Sequence, residues 1–310
     1  MKIVFMGTPE FAVESLKAIY QAGHEIVGVV TMPDKPAGRG QKISKSAVKI
    51  YAEEKGFKIL QPEKLKDEIF VEELRSLNAD IQVVVAFKML PEIVWNMPPL
   101  GTYNLHASLL PQYRGAAPIN WAIMNGDKQT GVTTFKLKHE IDTGDIFMQR
   151  AVDILPNDDA GTIHDKLMTI GAQTIVDTLA QIEQGNTHLT EQATLLSNTE
   201  ELKPAPKIFK EDMKLDWNRP TIELHNKVRG LSPYPTAWTE LTDNKGVTTS
   251  AKIYRTHISD KKLNIGQIQT DGKSYLAIGT ADGALEIDEI QAAGKKRMDI
   301  KSFLQGFHFA

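Results

Sequence analysis

The run Lys2-Ile3-Val4-Phe5-Met6 ends at Gly7 and passes directly into Thr8-Pro9 and a helical spacing of apolar residues, Phe11, Leu16, Ile19 and Tyr20. A short apolar strand that feeds a helix at once needs cover on both faces, which an open hairpin does not provide. Thr8-Pro9 reads as a helix cap followed by proline at the first helical position, and Gly23 closes the helix. The pattern then repeats. Glu25 to Thr31 is a second buried-strand run, and later candidates are Ile81–Ala86, Thr102–His106, Thr130–Lys138 and Asp145–Ile154. Helical stretches fall between several of them, at Ser46–Lys55, Asp67–Leu77 and Pro118–Asn125. This alternation predicts an α/β fold with a Rossmann-like, mostly parallel sheet and helices on both faces. A long helix from Thr162 to Gln184, ending at Gly185, closes it.

Residues 186–206 are polar and finish in Pro204-Ala205-Pro206, the composition of a linker. Beyond them, Thr221–Arg229 reads as a short amphipathic helix. Short strand-like runs follow at Ala237–Leu241, Ala251–His257, Gly266–Thr270, Tyr275–Gly279 and Ala284–Gln291. With turn signals such as Asp282-Gly283, they predict an OB-like β-barrel domain. The expected division is a catalytic domain over 1–188, a linker over 189–206 and the barrel over 207–310. A chain of 310 residues, 41% apolar and 24% charged, supports two folded domains rather than disorder. It has no cysteine, so disulfides, thiolate metal sites and a cysteine nucleophile are excluded. No apolar run approaches the ~18–20 residues of a membrane span, and residues 1–7 read as a strand, not a signal sequence. A cytoplasmic protein is expected. The net charge of −3 divides unevenly, −6 over residues 1–206 and +3 over 207–310, a hint of a polyanionic partner for the C-terminal third.

The first strand–helix turn offers only Gly7. There is no G-x-G-x-x-G and no phosphate-binding G-x-x-x-x-G-K-[ST], which speaks against NAD and ATP. The ligand of such a sheet still belongs at the carboxyl ends of its strands. There stands Asn104-Leu105-His106-Ala107-Ser108-Leu109-Leu110-Pro111. Period-2 spacing puts Asn104 and His106 on one face of a strand. An amide that stabilises an oxyanion beside an imidazole that moves a proton suits acyl-group chemistry. Glu140-Ile141-Asp142-Thr143-Gly144-Asp145 is either a plain turn or the source of a carboxylate, Asp142, set beside His106 to orient it. From Lys35 to Lys49 five cations, Lys35, Arg39, Lys42, Lys45 and Lys49, occur without an acid, which suits phosphate or merely solvent. Gly294-Lys295-Lys296-Arg297 carries the same two readings. His164 reads as structural or solvent-facing. No H-E-x-x-H and no His–carboxylate cluster points to a metal.

Taken together, these residues resemble the methionyl-tRNA formyltransferase family along the whole chain. The resemblance is carried by Phe5–Ala12, Pro33–Gly40, Asn104–Pro111, Tyr113–Pro118, Asp142–Asp145, Arg229–Pro235 and Ala292–Met298. The Asn-x-His-x-Ser-Leu-Leu-Pro motif with a downstream Asp is general to folate-dependent formyltransferases, whereas the basic loop and C-terminal matches resemble the tRNA-directed branch. The resemblance implies formyl transfer from 10-formyltetrahydrofolate to the amine of initiator methionyl-tRNA, by a monomer and without metal. It implies Asn104, His106 and Asp142 as the catalytic trio. Ser108, Leu109, Leu110 and Pro111, with Met89 and Leu90, would contact folate. Arg39, Lys35, Lys42, Lys295, Lys296 and Arg297 would contact RNA. One departure stands out: where family members often carry glycine after the aromatic residue, Phe87 is followed here by Lys88.

Three other readings compete. One is a folate-dependent formyltransferase acting on a small amine such as an amino sugar nucleotide. A second is a hydrolase releasing formate from the same donor. The third is an RNA-binding protein without catalysis.

Overall fold

The computed structural model describes residues 1–37, 42–196 and 201–309. They divide into two compact units. The first comprises Met1–Gly115, Gly131–Val152 and His164–Pro204, and the second Ala116–Thr130, Asp153–Ile163 and Ala205–Ala310. In chain order the elements up to the long helix are β1 (Lys2–Gly7), α1 (Glu10–Gln21), β2 (Glu25–Val30), β3 (Lys35–Ala37), β4 (Lys42–Ser44), α2 (Ala47–Lys55), β5 (Ile59–Leu60), α3 (Glu68–Ser76), β6 (Ile81–Val85), α4 (Glu92–Trp95), β7 (Thr102–His106), α5 (Pro118–Met124), β8 (Gln129–Lys136), β9 (Ile146–Asp153) and α6 (Ala160–Glu183).

The main sheet has the order β5-β2-β1-β6-β7-β8-β9. From β5 to β7 neighbouring strands run parallel, and β8 turns antiparallel against β7. The sheet is therefore the mostly parallel one expected. Ile3, Val4, Phe5, Val83, Val85, Tyr103 and Phe135 are essentially excluded from water, as strands covered on both faces require. The helix starts show why the chain turns where it does. Ser46 accepts from the Lys49 amide and Asp67 from those of Ile69 and Phe70, each supplying an oxygen to an otherwise orphaned N–H. At α1 the expected cap is different: Pro9 holds the N-cap position, its carbonyl accepts from Ala12 N at 3.0 Å, and Thr8 Oγ1 is buried without a partner. A small antiparallel ribbon, β3 with β4, interrupts the passage from β2 to α2.

In the second unit, α7 (Thr221–Leu231) precedes β10 (Ala237–Thr242), β11 (Thr248–Ser259), β12 (Ile268–Thr270), β13 (Leu276–Gly279), β14 (Ala284–Ala292), β15 (Met298–Asp299) and α8 (Ile300–Leu304). The strands form an antiparallel sheet in the order β10-β11-β14-β13-β12, with β15 added to β14. Among the described residues β10 and β12 do not pair with each other, so the predicted barrel is a half-barrel. Leu224, Val228 and Leu231 of α7 join Ile253, Ile278, Leu285, Ile287 and Ile290 in one apolar core. Two segments that precede residue 188 also pack within this unit. The Asn120 amide on α5 donates to the Gly230 carbonyl at 2.7 Å, and Arg229 donates to the Asp158 carbonyl at 3.1 Å. Among the described residues no helix is long and apolar enough to cross a membrane.

Gly131 on β8 marks the tightest packing near the later site. A Cβ there would stand 2.2 Å from the Arg150 carbonyl and 2.5 Å from a Leu109 methyl. Backbone cannot yield as a flexible side chain does, so Gly131→Ala should cost about 1–3 kcal/mol by overpacking. Urea unfolding will read this as a lower midpoint at unchanged slope; a midpoint equal to that of the parent chain contradicts it.

Candidate functional site

β7 lies in the interior of the main sheet, with Asn104 opposite Val84 of β6 and Phe135 of β8. Its two faces are used differently. On one, Leu105 packs toward α6, where a Cβ at Gly171 would meet a Leu105 methyl at 2.9 Å. The other carries Asn104 and His106, as the alternation predicts. Asn104 is half-buried, and its carboxamide bonds to none of the described residues. His106 is 7% exposed, and its Nε2 lies 2.9 Å from the Tyr113 carbonyl. A carbonyl only accepts, so Nε2 carries the hydrogen; in the neutral ring Nδ1 is then the basic nitrogen.

The turn after β7 is held from within. Thr133 Oγ1 donates to the Ser108 carbonyl at 2.6 Å and accepts from Leu110 N at 3.1 Å. Ser108 Oγ donates to the Gln112 carbonyl at 2.7 Å, and Gln149 Nε2 donates to the Leu110 carbonyl at 2.7 Å. Ser108, Leu110 and Pro111 are buried, while Leu109 is half-buried. Leu110–Pro111 is a cis peptide. The Ser108 hydroxyl and the Leu110 carbonyl are thus committed to shaping the turn.

Asp142 follows β8 and adopts φ +54°, in the left-handed region that carboxylate and amide side chains tolerate best. Its Oδ2 accepts from Gly115 N at 3.0 Å. The expected contact with the imidazole is not formed: among the described residues, His106 and Asp142 share no hydrogen bond. Tyr113-Arg114-Gly115 instead holds both, by the Tyr113 carbonyl at one end and the Gly115 amide at the other. Gln192, which sequence reasoning missed, completes this arrangement. It lies in a 3₁₀ turn, Gln192–Leu195, and is 3% exposed. Its Nε2 donates to the carbonyls of Asp142 and Gly144, both at 2.8 Å, and its Oε1 accepts from Arg114 Nε at 3.0 Å and Nη2 at 2.6 Å. Farther along, Tyr113 N donates to the Lys203 carbonyl at 2.7 Å, and Lys203 N donates to Gln112 Oε1 at 2.8 Å. Gln192 and Lys203, read from sequence as linker, are therefore fastened to the loops that carry the site. The signal was absent because each partner is distant in the chain.

Met89 and Leu90 follow β6, the neighbour of β7, and so stand at the carboxyl end of the adjacent strand, where ligands of such sheets bind. They line a cavity of about 640 Å³ together with Leu65, Lys66, Lys88, Pro91, Glu92 and Ile93. Met89 is 72% exposed and Leu90 8%. Ala86, at φ +47°, turns the chain out of β6 into this loop. Lys88 thus lines the cavity.

The cations divide by their partners. Lys49 pairs with Asp34 at 2.6 Å and Lys45 with Glu53 at 2.8 Å. The hydrogen bond from Lys49, then that from Gln61, holds the Asp34 carboxyl below its usual range. Lys35 is exposed; Lys42 lies on β4 with its side chain outside the described set; Arg39 lies outside the described residues. In the second unit Lys295 and Lys296 are exposed, whereas Arg297 bonds Glu289 and lies over the Tyr254 ring at 4.4 Å. The same unit holds a cluster that the sequence reading did not single out. Lys207 lies over Phe209, itself 57% exposed, and Lys210 and Lys214 lie over Trp238. Of these, Lys214 also pairs with Glu240 at 2.7 Å. Among the described residues no group of three or more His, Asp or Glu side chains is arranged to hold a metal.

The Formyl transferase family model matches residues 1–179, and that of the Formyl transferase C-terminal domain matches residues 207–308. The methionyl-tRNA formyltransferase of Parabacteroides distasonis is 56% identical over 310 residues, covering 99% of this chain and 96% of its own length. That of Flavobacterium johnsoniae is 48% identical over 312 residues, covering 100% and 97%. The N-formyltransferase from Helicobacter canadensis, solved with folinic acid and dTDP-3-aminofucose, matches with a TM-score of 0.67 at 20% identity, over 96% of this chain and 100% of that one. HypX from Aquifex aeolicus, solved with tetrahydrofolic acid, matches with a TM-score of 0.64 at 19% identity, over 100% of this chain and 48% of that one. These two likenesses establish the fold. By the family-model match and the near full-length identities, the chain belongs to the methionyl-tRNA formyltransferase family.

Proposed function

We propose that this chain transfers a formyl group from 10-formyltetrahydrofolate to the α-amine of initiator methionyl-tRNA, giving formylmethionyl-tRNA for translation initiation. The observation that carries the reading is the amide–imidazole pair of Asn104 and His106 at the end of β7, tied through Tyr113-Arg114-Gly115 to the Asp142 carboxylate. Residues 1–188 form the catalytic part, 189–206 the connection, and 207–310 the tRNA-binding part. The enzyme works as a monomer in the cytoplasm.

The chemistry follows from charge. The methionyl amine, neutral in good part near its pKa of about 7.7–8.0, attacks the formyl carbon. A C–N bond forms and the carbonyl oxygen becomes an oxyanion. The Asn104 N–H and the imidazole stabilise that charge where water is scarce. As the intermediate collapses, the bond from the formyl carbon to folate N10 breaks, and the proton lost by the amine passes to that nitrogen. Asp142 serves this transfer as proton acceptor and relay, working through water. The acid and the imidazole are held by opposite ends of one short loop, so the relay needs no direct contact between them.

The folate donor is read into the cavity beside Met89 and Leu90 and against the turn Ser108-Leu109-Leu110-Pro111. An apolar wall with a few polar groups suits a flat heteroaromatic ligand. Lys35, Arg39 and Lys42 on one unit, and Lys295, Lys296 and Arg297 on the other, are the proposed RNA contacts. Lys207, Lys210, Phe209 and Trp238 join them, since cations beside aromatic rings, here one exposed and one half-buried, suit an RNA backbone and its bases. Relatives 47–56% identical that carry the tRNA-directed name favour this acceptor over a small amine.

Two experiments test the reading. With charged initiator tRNA, His106→Ala and Asp142→Asn should each lower kcat at least about a hundredfold, the usual worth of a positioned acid or base. Filter binding of the tRNA should be unchanged. Equal losses of binding and turnover would remove these residues from the chemistry. Separately, replacing both Lys295 and Lys296 by Ala should weaken tRNA binding and flatten its log–log salt dependence by about 2, roughly one unit for each phosphate no longer neutralised. Arg297→Ala should change that slope less, because its charge already meets Glu289. A slope that stays the same in the double variant excludes the Gly294–Arg297 turn as an RNA contact.

A further inference from the structure

We propose that Gln192 is a positioning residue for the formyl transfer, fixing the backbone from which the Asp142 carboxylate projects; this rests on the catalytic reading of Asp142 given above. A left-handed turn needs contacts that hold it in place. Asp142 at φ +54° is in a conformation that costs an L-residue free energy, and it persists only where neighbours enforce it. The side-chain bond from Gly115 N fixes one carboxylate oxygen but does not fix the backbone. That task falls to the Gln192 amide, whose two N–H groups take the carbonyls of Asp142 and Gly144 at 2.8 Å each. Gly144 is pressed close: a Cβ there would lie 1.8 Å from the Lys136 carbonyl, so the loop has one way to pass.

The other end of the same side chain sets its orientation. Gln192 Oε1 accepts two hydrogen bonds from the Arg114 guanidinium, so the oxygen cannot exchange places with the nitrogen without setting donor against donor. Arg114 is the middle residue of the loop whose neighbours hold His106 and Asp142. A single buried amide therefore couples the carboxylate loop to the loop that holds the imidazole. Glutamine is the side chain that can do this: it donates twice at one end and accepts twice at the other. Glutamate would keep the Arg114 contact and turn repulsive oxygen toward the two carbonyls.

Gln192→Glu separates these roles. Thermal unfolding and circular dichroism establish that the variant is folded. Steady-state kinetics are then measured for Gln192→Glu in the parent chain and in Asp142→Asn. The expected result is a fall in kcat of about tenfold to a hundredfold in the parent, the usual cost of displacing a reacting group by an ångström. KM for the donor and for methionyl-tRNA should be retained. In the Asp142→Asn background the same substitution should cause no further fall, since the group it positions is already gone. Unchanged kcat in the parent overturns the proposal, as does an equal fractional loss in both backgrounds, which marks a general structural role. Should Gln192→Glu fail to fold, Arg114→Lys is measured in the same two backgrounds, because it removes the paired donors that orient the amide; the same two outcomes decide. Full activity of Asp142→Asn alone would sink the catalytic reading of that residue, and this inference with it. A damaged Asp142→Asn beside an intact Gln192→Glu sinks only the inference.

Discussion

Three consecutive residues, Tyr113, Arg114 and Gly115, carry the constraint on which the site depends. A carbonyl binds the imidazole, a guanidinium binds a buried amide, and a backbone N–H binds the carboxylate. Each group is polar and shielded, so each needs a partner, and an unmet one would cost about 1–3 kcal/mol. The loop is shaped to offer all three. Tyr113 takes φ +61° and Gly115 φ +124°, a sequence of turns that points successive groups in different directions. Below it the Thr133 hydroxyl pins the preceding turn by accepting one hydrogen bond and donating another. The side chains of His106 and Asp142 are thus set by main-chain groups, which have few alternative positions.

This arrangement decides how the imidazole can act. Bonding to a carbonyl through Nε2 leaves Nδ1 as the only basic nitrogen of the neutral ring and gives a protonated ring a ready neutral partner. A carboxylate in direct contact would instead stabilise the charged ring. The Asp142 carboxylate is held instead by the Gly115 amide. The two groups therefore have separate supports, the Tyr113 carbonyl and the Gly115 amide.

Much of the fold was legible because period and composition carried it. β7 was read as Thr102–His106 and lies at Thr102–His106, and α7, read from Thr221, begins there. Buried β-branched runs announce strands whatever their neighbours do. The ribbon of β3 and β4 was not legible: Pro36, which donates no hydrogen bond, sits in a run otherwise rich in lysine and glycine, and pairing there is not enforced by an apolar face. Thr8 was misread as a cap because the rule for threonine before proline says nothing of where its hydroxyl points. The same reasoning placed Asn104 and His106 on one face of β7, because a spacing of two is a local signal. It could not find Gln192, which lies 50 residues from Asp142 and 78 from Arg114 and has no pattern of its own. A buried polar side chain is recognised only by its partners, and a sequence does not display them.

Charge shows the same limit in another form. Counting cations from Lys35 to Lys49 treats every lysine as available, yet Lys45 and Lys49 are closed by Glu53 and Asp34. Asp34 stands one residue before the counted run and Glu53 four after it, so a window drawn by sequence misses both. In the second unit the correction runs in the opposite direction. Arg297, read together with Lys295 and Lys296 as an RNA contact, is held by Glu289, whereas Lys207 and Lys210 stand over Phe209 and Trp238. A lysine over a ring sets a cation beside a flat apolar face. An RNA contact can draw on either, cation for phosphate and ring for base. The field that meets a polyanion is therefore set by which cations lack an acid within reach and which have an aromatic neighbour, and net charge along the chain is a poor guide to either.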